Sequence, residues 1–165
     1  MKLLFEVIIY CFVYTLFVKI AKGNNPLNCL YFYPEPVREK AYSLGLADEK
    51  SVRKRAKCFY TYFLAALVIL LFVFMVIVNK TQDFGAAFAE LYLILVIGNW
   101  FDGIVIDRFW VSRKSWVIPE TADIPHLKPW KTVLVRRALG TIAYIPIAAV
   151  FALIFSRLSI CIWNG

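Results

Sequence analysis

Two aspartates, an asparagine and an arginine fall within "GNWFDGIVIDRFW", residues 98–110, at the end of a long apolar run. Carboxylates and amides in such a setting can bind ions, relay protons or act as general acids and bases. Asn99 and Asp102 are three apart and share one face of an α-helix. Asp107 lies five residues beyond Asp102, about 140° around the same wheel, so the two carboxylates do not form a single stripe. Trp100, Gly103, Asp107 and Trp110 follow i, i+3, i+7, i+10 spacing, and Gly103 leaves room for a neighbouring helix or a ligand to approach closely. Arg108 within this stretch, with Glu90 and the single histidine, His126, outside it, complete the candidate binding set.

Three kinds of chemistry fit these residues. In a structural reading, Asp102 and Asp107 pair with Arg108, Arg113 or loop lysines and fasten a loop to the helix end. In a second, they form a ligand, ion or proton site inside a helical bundle, as acids in membrane spans often do. In a third, the carboxylates join His126, Glu120 or Asp123 in an interfacial enzyme acting on a lipid or lipid-linked substrate. The best reading is a membrane-embedded small-ligand or ion binding or transport-type component. The lipid enzyme and a structural subunit of a membrane complex are its rivals, and no catalytic residue is assigned.

The segment "DGIVIDR" resembles the opening of the CDP-alcohol phosphotransferase motif, which begins Asp-Gly and continues through an Ala-Arg pair to two further spaced aspartates. Asp102, Gly103, Asp107 and Arg108 match that opening, with Asp-Arg standing at different spacing where the family has Ala-Arg. No later Gly-x-x-x-Asp-x-x-x-Asp occurs in the last apolar segment, so the family's two-metal site cannot be assembled and its activity is not carried over.

The elements that must position these groups are helices in a bilayer. The chain is 61% hydrophobic and 17% aromatic, well above the ~45–50% apolar content of ordinary soluble domains. With 165 residues and no repeat or linker, it reads as a single domain. Four segments approach the ~20 apolar residues that a membrane helix needs: about 3–20, 58–78, 85–107 and 138–160. The expected fold is therefore an all-α integral membrane protein, with short interfacial helices in its cytoplasmic loops. Glu6 weakens the first span, and the basic residues follow its apolar core, so it reads as an uncleaved anchor rather than a signal peptide. Pro146 is expected to kink the fourth. Ala65 and Ala66, Gly85 and Ala89, and Ala148 and Ala152 could let helices approach closely, within one chain or in a homo-oligomer or larger complex.

Charge sets the orientation. The 19 lysines and arginines include Lys19 and Lys22, seven in 23–57 and seven in 108–137, so sixteen fall on one side of the four spans. By the positive-inside rule that side is cytoplasmic and both termini face out. Short loops and compact size favour a bacterial cytoplasmic membrane. The net charge of +8 therefore signals topology rather than nucleic-acid binding. Trp100, Trp110, Trp116 and Trp130 would sit at the inner interface and Trp163 at the outer one.

In the first inner loop, Val37, Ala41 and Leu44 recur at helical spacing before Gly45, and Asp48 can cap a new helix running through Ser51. The basic run Arg53, Lys54, Arg55 and Lys57 could contact anionic lipid headgroups, or simply set topology. Pro119, Pro125 and Pro129 deny the second inner loop a long helix, and it should pack back against the inner membrane face. "NKT" at 79–81 matches a glycan acceptor by chance, since it lies in a very short turn against the membrane. Cys11, Cys29, Cys58 and Cys161 lack the paired spacing of zinc ligands, and neither metal nor cofactor is expected.

Overall fold

The computed structural model describes residues 1–164, which are 82% helical with no strand. In chain order the helices are α1 (Lys2–Lys22), the short α2 (Glu35–Ser43), α3 (Glu49–Val78), α4 (Phe84–Trp110) and α5 (Trp130–Asn164). All but α2 are long and apolar enough to cross a membrane. Each of these four overruns its apolar segment, because extending a helix already formed adds one hydrogen bond per residue fixed, for polar residues as for apolar ones. The difference that bears on the site is in α5, which starts at Trp130 rather than 138 and carries Arg136 and Arg137 as helical rather than loop residues. Pro146 lies inside α5, which continues through it.

The chain runs up and down between two ends. The terminal end joins Lys2 to Glu90 at 3.4 Å and Gln82 to Asn164 at 3.0 Å, while the Trp163 indole donates to the Val76 carbonyl at 2.8 Å. The opposite, loop end carries α2 and both long connections. Between them Tyr10, Leu71, Met75, Leu91, Ile94, Ala148, Ala152 and Phe155 form one core. Of the small-residue pairs, Ala148 and Ala152 are buried, whereas Ala65, Gly85 and Ala89 are exposed; Ala87 and Gly98 make the close approaches in α4.

Much of the apolar surface points outward. Leu4, Phe5, Ile69, Leu139, Ile142 and Val150 are among the exposed large side chains. Only 17% of the most apolar stretch of α5 is buried inside the protein. A core of this size accounts for little of the chain's hydrophobicity, so the exterior of the bundle is itself apolar.

The loop end has its own core. The α2 helix buries Val37 and Ala41, Gly45 takes the left-handed conformation (φ +69°) that ends the helix, and Asp48 caps α3 by accepting from the Ser51 amide at 2.9 Å. The second connection is extended, with short 3₁₀ turns at Lys114–Trp116 and Pro119–Thr121. It packs against the protein itself: Trp116 and Ile118 are buried with Leu30, Tyr33, Val37 and Ile106, and the Tyr33 hydroxyl donates to the Trp116 carbonyl. Trp116 is thus a core residue rather than an interface anchor, and burying such a side chain contributes roughly 1.5–3 kcal/mol.

A Lys40–Asp123 ion pair at 2.5 Å ties α2 to the second connection, and its hydrogen bond holds the Asp123 carboxyl below its ordinary 3.8. A lowered carboxyl stabilises above the unfolded value and loses that contribution as pH falls through the folded one. Asp123→Asn should therefore speed amide exchange across residues 119–124 at pH 7, relative to unstructured-peptide rates. Wild type should converge with the variant when acidified below about 3.8.

Candidate functional site

The final stretch of α4 changes its winding. Residues Asp102–Trp110 form a π-helix, and the Val111 amide bonds the Ile106 carbonyl five residues back at 3.0 Å. An i→i+5 bond makes residues five apart neighbours one turn on, which regular α geometry does not. Asp102 and Asp107, expected about 140° apart, therefore face the same partner.

That partner is Arg137 of α5. Its Nη2 lies 2.6 Å from Asp102 Oδ2 and 2.7 Å from Asp107 Oδ2. Its Nη1 donates to Asn99 Oδ1 at 3.3 Å, while its backbone carbonyl accepts from Asn99 Nδ2 at 2.8 Å and Thr141 Oγ1 at 2.9 Å. The Trp100 indole donates to Thr141 Oγ1 at 3.1 Å, so the network joins α4 and α5 over more than a turn. The Arg137 and Asp102 side chains are only 16% and 15% exposed, and charges this sheltered persist only when paired.

Glycines make the close contact possible. A Cβ on Gly103 would lie 2.6 Å from Arg137 Nε and 2.7 Å from its Cγ, and one on Gly140 would lie 3.1 Å from the Asn99 amide. The approach expected at Gly103 is thus made by the Arg137 side chain.

A cavity of about 230 Å³ opens beside this network at the loop end. Its polar wall comprises Asp102, Asp107, Arg137, Arg136 and Lys128, with Tyr14 and Tyr60 facing them; Phe32, Phe59, Phe63, Val18 and Val111 supply apolar wall. Burial pulls the Lys128 ammonium below its ordinary 10.5. Asp107 and Lys128 also line a chamber of about 20 Å³ with Tyr33, Trp116 and His126. The Nε1 of Trp116 and Nε2 of His126 are buried without hydrogen-bond partners among the described residues, and a chamber of that volume has room for about one water.

Of the sequence-predicted site residues, Asn99, Asp102 and Asp107 come together on Arg137, and His126 shares the small chamber with Asp107 alone of the three. Arg108 does not pair with either aspartate: it donates to the Lys128 carbonyl at 2.9 Å and stacks 4.3 Å over Trp130. Glu90 belongs to a separate cluster at the terminal end, where Asn79 Nδ2 bridges Glu6 at 2.7 Å and Glu90 at 3.1 Å. That bond engages the side chain of "NKT" inside the bundle. Arg53, Lys54, Arg55 and Lys57 are exposed on the first turns of α3; Arg53 pairs with Glu49 and Arg55 donates to Asn28.

Arg137 itself escaped sequence reasoning because it was counted with the loop cations. Its signal was present: Val133, Arg137, Gly140 and Tyr144 recur at spacings of four, three and four, one helical face. No protein-family model, curated protein or solved structure matches the chain.

Removing Arg137 leaves two sheltered carboxylates without the one cation in direct contact with them. Arg137→Met should lower unfolding free energy by about 3–5 kcal/mol, measured by denaturant titration in detergent. Adding Asp102→Asn and Asp107→Asn should restore most of that loss, since no sheltered carboxylate then remains without Arg137. Gly103→Ala should also lower the melting temperature, because its methyl displaces the Arg137 side chain.

Proposed function

We propose that this is an integral membrane protein of four spans whose loop-end cavity binds a small anionic ligand, as a membrane-embedded binding or transport-type component. The apolar exterior of the long helices supports the membrane assignment. Three lysines and arginines, Lys2, Lys80 and Arg157, lie toward the terminal end and sixteen of the 19 toward the loop end. The positive-inside rule therefore makes the loop end cytoplasmic, with both termini outside, in a cell membrane. In that setting α2 lies at the inner interface. Arg53, Lys54, Arg55 and Lys57 then meet anionic headgroups, at about 1 kcal/mol per cation.

The observation that carries the ligand's sign is the charge balance of the cavity wall. Asp102 and Asp107 are both engaged by Arg137, and with Lys128 and Arg136 added the wall carries one net positive charge, with neither of those two cations bound to an acid in it. A cation would have to displace Arg137, whereas an anion gains two cations in a partly desolvated site. The ion-site reading is thereby narrowed to anions, and the acids act as the anchors of Arg137. A second reading, a lipid-processing enzyme, is favoured by one observation: His126, whose buried Nε2 has no partner among the described residues, lines the chamber that shares Asp107 and Lys128 with the cavity.

Isothermal titration of the purified protein with inorganic phosphate and glycerol 3-phosphate tests the main reading. Binding should weaken at least about tenfold, or ~1.4 kcal/mol, in Lys128→Gln and in Arg136→Gln. Binding of sodium or calcium that is lost in Asp102→Asn would refute it. His126→Ala should leave this binding intact; loss of turnover of a phosphate-bearing lipid in that variant would establish the second reading. For topology, external labelling should modify a cysteine placed at Thr81 and miss one placed at Ser51.

A further inference from the structure

A larger groove lies on the outside of the bundle between α1 and α3, beside the charged cavity. It encloses about 510 Å³ and is lined by Phe17, Ile20, Ala21, Cys58, Phe59 and Tyr62, with Tyr31, Asn28 and Arg55 completing the lining. Arg55 Nη1 donates to Asn28 Oδ1 at 3.2 Å, and Asn28 donates to the Lys22 carbonyl at 3.1 Å, so these polar groups are anchored against the end of α1. The remaining surface is mostly apolar and lies along two helices whose outer faces are apolar.

Aromatic rings stand where this groove and the cavity adjoin. Phe59 lines both. Phe63, which lines the cavity, stacks on Phe59 at 5.3 Å and meets the groove residue Phe17 edge-on at 5.7 Å. Tyr14 meets Phe63 at 4.6 Å from the cavity side. Such rings can be displaced by χ rotation without moving the helix backbones that carry them.

We infer that groove and cavity are two compartments of one site for an anionic phospholipid. Its phosphate meets Lys128 and Arg136, an acyl chain lies in the α1–α3 groove, and Phe59 and Phe63 form the partition between them. The inference rests on the membrane assignment and anionic ligand proposed above, and it names that ligand's class. Charge complementarity argues for the headgroup, and continuity through Phe59 argues for the chain. A soluble anion would use the cavity alone and leave the groove without a role. A phospholipid enters sideways from the bilayer and fills both. The surplus positive charge of the cavity selects anionic over zwitterionic headgroups.

Cys58 lines the groove and is exposed, which makes it a native reporter. The full chain carrying Cys11→Ala and Cys161→Ser is labelled at Cys58 with bimane and reconstituted in phosphatidylcholine vesicles. Chain-brominated phosphatidylglycerol should then quench at least about twice as strongly as chain-brominated phosphatidylcholine at equal mole fraction. Lys128→Gln with Arg136→Gln should abolish the preference, whereas a label at Cys161, with Cys11→Ala and Cys58→Ser, should show none with Lys128 and Arg136 intact. Equal quenching by the two lipids at Cys58 in the protein with Lys128 and Arg136 intact overturns the inference. If glycerol 3-phosphate still titrates into that protein, the anion site survives and the lipid assignment alone falls. If it does not, both fall.

Discussion

One guanidinium holds the loop end of this protein together. Arg137 binds Asp102, Asp107 and Asn99 with its side chain, and its backbone carbonyl accepts from Asn99 and Thr141. Two carboxylates against one cation leave a formal negative charge in a sheltered place, which the neighbouring Lys128 and Arg136 reverse. The depth of the site, the contact of α4 with α5 and the sign of the cavity all follow from this arrangement. Such a group is not strong evidence for stability as such, since desolvating the ions offsets much of their attraction. Its consequence is specificity of packing: any register of α4 on α5 that parts these groups leaves a charge unpaired.

The π-helical segment is what lets one arginine serve both acids. In α geometry Asp107 would turn away from Asp102, and Arg137 could reach only one of them. Re-winding Asp102–Trp110 brings the pair round together, and Gly103 supplies the slot through which the Arg137 stem passes. A second π-helical segment, Val73–Val78, immediately precedes Asn79, whose amide bridges Glu6 and Glu90 at the other end of the bundle. Both polar clusters thus adjoin segments where the backbone departs from α-helix, a common setting for such segments.

The two ends differ in what the polar groups leave open. At the terminal end Asn79 bridges Glu6 and Glu90, Lys2 pairs with Glu90, and Trp163 donates to Val76 with Lys80 over its ring. At the loop end the connections pack over the helices through Tyr33, Trp116 and Ile118 yet leave a cavity beside Arg137. Aromatic rings of α1 and α3 divide that cavity from the outer groove. Polar chemistry and apolar surface therefore meet at one place in the fold, which is where an amphiphilic ligand belongs.

The number of long apolar helices, the elbow at Val37–Ala41, the Asp48 cap and the clustering of cations at one end were all legible in the sequence. These depend on local period, capping chemistry and counting, each confined to a few consecutive residues. Asn99 and Asp102 were likewise identifiable as polar groups out of place. The partner of Asp102, the convergence of Asp107 and the isolation of Glu90 were not, because they depend on which residues of distant segments become neighbours. Counting Arg137 as a loop cation hid it, and a standard helical wheel separated the two aspartates. Tertiary packing decided both points: α5 begins early enough to bring Arg137 beside Gly103, and α4 unwinds to a π-helix so that both carboxylates meet the same charge.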